Sequence, residues 1–149
     1  HDWLADKLGG GWVCQWDQTP YNSITTAEEF YGSEEAWACQ EKQYRYIIAR
    51  WGYSRALAIW QIVCEISGTD GWVFGSVPEA EAWSRRAHDF FSANDPFRHP
   101  TTGSQHGYVG CDWPNGYAIF DLPNREIYET QGWVADRMVF EAEITGMWV

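Results

Sequence analysis

Two glutamates stand where short, largely apolar runs give way to loop-forming residues. Glu65 follows the run 57–64 and precedes small and polar residues, and Glu143 follows the run 138–142 in the same way. Catalytic groups gather at the C-terminal ends of strands in parallel barrels. Two carboxylates from different strands can cleave a glycosidic bond, since one protonates the leaving oxygen and the other attacks the anomeric carbon or activates water. Acids at strand ends are also often only solvated or paired, and spacing alone leaves both readings open.

The elements that must position these acids alternate between strands and helices. The run from Leu57 to Glu65 predicts a strand buried on both faces, which is typical of parallel sheets. A helix is predicted over 26–51, with start signals at Thr26 and at Ser33, and a second over Pro78 to about Ser92. Further strands are predicted within 99–104, 117–128 and 136–144. This alternation favours a parallel α/β fold.

The composition excludes several classes of function. Apolar residues make up 45% of the 149 residues, so the chain is not of the disordered class. The formal charge of −11 opposes binding to nucleic acid. No apolar run approaches the roughly 20 residues of a membrane helix. No signal peptide is recognisable at the N-terminus.

Tryptophan is the outlier of the composition, with 11 of 149 residues. Tryptophan fills cores well, and it also stacks on the apolar faces of sugar rings. The ones near predicted loop ends favour sugar binding: Trp16, Trp72, Trp113 and Trp133.

Neither the cysteines nor the histidines make a strong metal pattern. The four cysteines form no C-x-x-C pair, and we expect all of them to be free thiols: Cys14, Cys39, Cys64 and Cys111. His1 raises an alternative, a copper-dependent polysaccharide monooxygenase that would use the N-terminal histidine and one of His88, His99 or His106. The predicted helices oppose the antiparallel β-sandwich of that class, so we expect no metal and no cofactor.

The segment "RYIIARWGYSRALAIWQIVCEISGTDGW" resembles the fourth-strand segment of clan A glycoside hydrolases, the (β/α)8 barrels that include family 5. Glu65 falls on the acid/base of that family. "MVFEAEITG" resembles the seventh strand, where Glu143 falls on the nucleophile. The resemblance implies a retaining glycosidase acting on a poly- or oligosaccharide. The residues that match the fourth-strand pattern are Arg45, Tyr46, Ala49, Arg50, Trp51, Gly52, Tyr53, Ser54 and Trp60.

Other segments follow in the same order, from "HDWL" at the end of the third strand to the end of the seventh. The expected fold is therefore α/β, part of a (β/α)8 TIM barrel with parallel strands, and residues 1–149 would be one partial catalytic domain. A whole barrel takes about 250 residues. The remaining barrel segments would come from a longer polypeptide, and the resemblance implies a secreted protein, extracellular or periplasmic.

Two positions depart from the family pattern. Cys64 stands where an asparagine usually binds the sugar 2-hydroxyl, and Glu126 stands where a histidine is common. These departures leave open an alternative, a non-catalytic carbohydrate-binding barrel with a decayed site. The substrate-binding residues predicted for the cleft are Trp16, Cys64, Gln105, His106, Trp113, Glu126 and Tyr128.

Overall fold

The computed structural model describes residues 16–106 and 113–126. Its helices are α1 (Glu34–Trp51), α2 (Val77–Asn94) and the short α3 (Pro114–Tyr117), and its strands are β1 (Trp60–Val63), β2 (Thr101–His106) and β3 (Leu122–Glu126). Single 3-10 turns cover Trp16–Gln18, Pro20–Ser23, Phe30–Gly32 and Ile66–Gly68, and a π-helical turn covers Gly71–Gly75. No helix of the described ranges is long and apolar enough to cross a membrane.

Helix α1 begins at the second of its two predicted start signals. The Ser33 side chain accepts a hydrogen bond from the Ala36 backbone N–H at 3.2 Å, which caps the helix. Thr26 accepts from the Glu29 N–H as expected, but a 3-10 turn follows it. The chain bends there against α2, since a Cβ on Gly32 would lie 2.9 Å from the Glu79 carboxyl group. The prediction of one helix from residue 26 is therefore wrong.

The core lies between the two long helices and the sheet. The predicted inner face of α2 is confirmed, because Trp83, Ala87, Phe90 and Phe91 are all buried. On α1, the predicted buried stripe is confirmed for Trp37 and Ile48, which are buried, whereas Tyr44 and Ile47 are only partly buried. The predicted burial of Trp51 is wrong. Trp51 is the last residue of α1 and is 48% exposed.

The described strands form one parallel sheet in the order β1-β2-β3. Trp60 is paired with Thr101 and Val63 with Gly103, with an irregularity between them. β2 and β3 pair in regular register from Thr102 and Leu122 to His106 and Glu126. All three strands therefore end at the same edge of the sheet.

The prediction of a TIM-barrel segment is wrong. Residues 16–106 and 113–126 form a small α/β domain with a three-stranded parallel sheet, and no barrel is evident in them. A barrel requires a sheet that closes on itself with matched tilt and stagger. Alternating strands and helices also form open sheets, so the alternation could not tell the two apart. The segments predicted as the third and seventh strands lie outside the described residues.

A buried carboxylate ties the start of β1 to the loop before β2. Asp95, directly after α2, is 3% exposed. Its Oδ2 accepts a hydrogen bond from Trp60 Nε1 at 2.9 Å and lies 2.7 Å from His99 Nδ1. The backbone N–H groups of Phe97 and His99 also donate to this carboxylate. Burial alone would raise the pKa of Asp95, but the hydrogen bonds outweigh it and lower the pKa from 3.8 to about 2.

Asp95→Asn should therefore lower the free energy of unfolding by about 2 kcal/mol at pH 7. The folded-state pKa is depressed, so this stabilisation is complete above about pH 4 and is lost as the pH falls towards 2. Urea unfolding at several pH values measures the difference between the variant and the wild type. A difference that stays constant between pH 6 and about pH 2.5 would contradict the role of the Asp95 charge.

Candidate functional site

Four side chains meet at the edge of the sheet where the strands end. Cys64 and Glu65 directly follow β1, Ser104 lies near the end of β2, and Glu126 is the last residue of β3. Parallel strands place their carboxyl ends at one edge, which is where ligands bind in open α/β sheets. The chain therefore brings residues 62 positions apart into contact. We call these four residues the strand-end cluster.

Hydrogen bonds connect every member of the strand-end cluster. Ser104 Oγ accepts from the Glu65 backbone N–H at 2.8 Å and donates to Glu126 Oε1 at 2.9 Å. Cys64 Sγ donates to the same oxygen of Glu126 at 2.8 Å. Ser104 is fully buried, so water does not compete for its hydroxyl. The hydroxyl thus links the ends of all three described strands.

Glu65 has an unusual backbone conformation. Its φ and ψ angles are 50° and 51°, in the left-handed region that favours glycine. Such a conformation in a non-glycine residue costs on the order of 1–3 kcal/mol and persists where the surroundings impose it. Glu65 is also only 7% exposed, and the 3-10 turn Ile66–Gly68 follows it at once. The chain therefore turns abruptly at a buried acid two residues after the end of β1.

The cluster holds two carboxyl groups close together. The nearest side-chain atoms of Cys64, Glu65 and Glu126 all lie within 4.8 Å of one another. The second catalytic acid predicted from the sequence is Glu143, which lies outside the described residues, so its distance from Glu65 stays a prediction.

The same three side chains are close enough to share a cation. Thiolate is the form of cysteine that binds a metal. Burial raises the pKa of Cys64, and the hydrogen bond to Glu126 and its negative charge raise it further, to about 11. The cluster therefore favours the protonated thiol, which acts as a hydrogen-bond donor to Glu126.

Trp16 lines a cleft, and the four residues of the strand-end cluster are not among the residues that line it. The cleft has a volume of about 330 Å³, and residues on both sides of Glu65 contribute to its wall. Among the lining residues are Trp16, Tyr31, Val63, Thr69 and Trp83. Trp16 is partly exposed and could offer a ring face to a sugar, whereas Trp83 is a core residue.

Other predicted binding residues have different surroundings. Trp113 is 2% exposed, packs edge-on against Trp72 and donates from Nε1 to Glu81 at 3.0 Å. It is a core residue in this structure and does not belong to the strand-end cluster. Gln105 is 3% exposed, and by strand alternation it points to the face opposite Ser104.

The structure describes the remaining predicted residues only in part. The backbone of His106 pairs with that of Glu126 at the end of β2. Tyr128 lies outside the described residues. The predicted free thiols are confirmed for Cys39 and Cys64, whereas Cys14 and Cys111 lie outside the described residues.

The structure does not favour the copper alternative. His88 Nδ1 lies 2.6 Å from the Thr101 hydroxyl, and His99 pairs with Asp95, so both histidines hold the fold together. The described strands are parallel, unlike those of a β-sandwich. His1 itself lies outside the described residues.

Ser104, the residue that joins the strand-end cluster, is not among the site residues predicted from the sequence. The run Thr101–His106 has no apolar alternation that would mark an inward face, because its residues are mostly polar. The signal that could have found Ser104 is its place near the end of a predicted strand that neighbours the strand of Glu65.

Glu126→Gln should lower the pKa of Cys64, because it removes the negative charge that disfavours the thiolate. At a fixed pH near 9 the variant then holds more thiolate, and Cys64 should react faster with iodoacetamide. Mass spectrometry of the alkylated peptides over pH 7–11 measures this. Cys39 in the same chain is the internal control, and the exposed Glu35→Gln is the matched variant. Identical pH profiles for Cys64 in wild type and Glu126→Gln would refute the pairing.

Comparison with known proteins adds no assignment to this geometry. No protein-family model matches the chain, and no curated protein or solved structure is significantly similar to it. The resemblance of the segment around Glu65 to glycoside hydrolases therefore stays a prediction, and the case for a function comes from the strand-end cluster.

Proposed function

We propose that this protein is a retaining glycoside hydrolase in which Glu65 is the general acid/base. The observation that carries the proposal is the position of Glu65, a buried acid at the carboxyl-terminal edge of a parallel sheet, held in a left-handed backbone conformation. A second carboxyl group, that of Glu126, lies within 4.8 Å. Strained backbone of this kind clusters at active sites. The substrate class is a neutral poly- or oligosaccharide, in keeping with the surplus of acidic residues.

In the proposed reaction, Glu65 donates its proton to the glycosidic oxygen as the bond to the anomeric carbon breaks. Glu143 attacks the anomeric carbon and forms a glycosyl ester, and the first sugar leaves as an alcohol. Glu65, now ionised, removes a proton from a water molecule. That water displaces Glu143 from the anomeric carbon, so that two inversions give net retention. No cofactor takes part in these steps.

The neighbours of Glu65 have supporting roles in this proposal. Glu126 accepts hydrogen bonds from Cys64 and Ser104, which hold its carboxyl group in place beside Glu65. The aromatic cleft that contains Trp16 would receive a sugar ring.

One observation favours a second candidate, a non-catalytic carbohydrate-binding protein. Cys64 and Glu126 are the two departures from the glycosidase pattern, and they hydrogen-bond to each other. Their polar atoms are thus engaged within the protein. Under this alternative the protein binds oligosaccharides without cleaving them, and calorimetric binding with no release of reducing ends would identify it.

Glu65→Gln should lower the hydrolysis of unactivated glycans by about 10²–10⁴-fold, because the amide cannot donate the proton. Aryl glycosides with good leaving groups should lose less in the glycosylation step, since they need little protonation. A panel of polysaccharides with a reducing-end assay finds the substrate, and the variant is then assayed on it. Glu143→Gln should abolish hydrolysis of both substrate types, because no covalent intermediate forms.

The exposed Glu35→Gln is the matched control and should keep wild-type activity. Circular dichroism checks that each variant is folded. Full activity of Glu65→Gln on an unactivated glycan would show that Glu65 is not the acid.

A further inference from the structure

The backbone of Glu65 needs a partner that holds it in place. Its left-handed φ of 50° is costly for a residue with a Cβ, and the chain would relax to an ordinary extended conformation if nothing opposed it. The backbone N–H of Glu65 donates to Ser104 Oγ at 2.8 Å. This bond connects the strained residue to the middle strand of the described sheet.

Ser104 suits this task because its hydroxyl accepts from Glu65 and donates to Glu126 at the same time. The O–H group donates to Glu126 Oε1 at 2.9 Å, which leaves a lone pair of Oγ facing the Glu65 N–H. A bond to a carboxylate is stronger than one between neutral groups, so the hydroxyl rotor is well fixed. Complete burial of Ser104 removes water as a substitute partner.

The bonds also close a ring. Cys64 donates to the same Glu126 oxygen, and Cys64 is the chain neighbour of Glu65. A path therefore runs from Glu65 through Ser104 and Glu126 to Cys64 and back along the backbone to Glu65. A displacement of any one member strains the other bonds of the ring.

We propose that Ser104 is a positioning residue that sets the direction of the Glu65 carboxyl group, and that Glu126 orients the Ser104 hydroxyl for this purpose. This inference rests on the proposed function, since it requires Glu65 to be the acid. Without the hydroxyl, the Glu65 N–H is buried without its partner and the residue shifts. A shift of about 1 Å in a reacting group can cost about 10²-fold in rate.

Ser104→Ala should lower kcat on an unactivated glycan by about 10–100-fold, with little change in KM. On an aryl glycoside with a good leaving group, kcat/KM should fall by less than about threefold, because it reports the glycosylation step, which needs little protonation there. A structural defect that lowers the amount of folded enzyme would reduce both rates equally. Because Ser104 acts through Glu65, Ser104→Ala should have almost no further effect in a Glu65→Gln background.

Ser84→Ala is the matched control. Ser84 is also fully buried, but its hydroxyl donates to the Ala80 carbonyl within α2, away from the strand-end cluster, so its loss should leave both rates unchanged. Urea unfolding confirms that the variants are folded. If Ser104→Ala does not fold, Glu126→Ala takes its place, because it removes the acceptor that orients the hydroxyl, and the same dependence on the leaving group is expected.

The outcomes separate the two proposals. If Glu65→Gln loses activity and Ser104→Ala behaves like Ser84→Ala on both substrates, the role of Ser104 is wrong and the function stands. The role of Ser104 is also wrong if Ser104→Ala lowers kcat/KM equally on both substrates. The same holds if Ser104→Ala lowers the rate as much in the Glu65→Gln background as in the wild type. If Glu65→Gln keeps full activity, both proposals fail together.

Discussion

The Ser104 hydroxyl makes the two hydrogen bonds on which the arrangement of the site depends. It accepts from the backbone of Glu65 and donates to the carboxylate of Glu126, and so joins the ends of β1, β2 and β3. Each bond is buried or partly buried, where an unmade hydrogen bond costs about 1–3 kcal/mol. That cost is comparable to the strain of the left-handed Glu65 backbone. The cluster can therefore hold a conformation that the isolated chain would not adopt.

The scaffold supplies the rigidity that this arrangement needs. Trp60 at the start of β1 donates to Asp95, and Thr101 at the start of β2 donates its backbone N–H to Asp121. Carboxylates thus fix the beginnings of both strands, while the strand-end cluster ties their other ends together. The packed aromatic face of α2 covers the sheet between these two sets of bonds. A reacting group placed on such strands is held more precisely than one on a loop.

The sequence was informative where a pattern has one physical meaning. The apolar run before Glu65 predicted a strand close to this acid, and the serine at residue 33 predicted the start of α1. The predicted length and burial of that strand are wrong, because β1 covers only Trp60–Val63, Gln61 is exposed and Ile59 is 41% exposed. The sequence was misleading where one pattern serves two structures. Alternating strands and helices suit an open sheet as well as a barrel, and Trp113 is as able to fill a core as to bind a sugar. Ser104 escaped notice because its role comes from pairing between strands that are distant along the chain.

Trapping the covalent intermediate tests the retaining mechanism most directly. The probe is the 2-deoxy-2-fluoro derivative of the sugar that the wild-type protein hydrolyses, with dinitrophenolate as its leaving group. The fluorine slows both steps, and the good leaving group lets the first proceed without an acid, so the glycosyl ester accumulates. Peptide mass spectrometry should find one label per chain, on the peptide that contains Glu143, and its release should be slower in Glu65→Gln. A label on Glu126, or no label on a protein that hydrolyses the parent glycoside, would contradict the proposed mechanism.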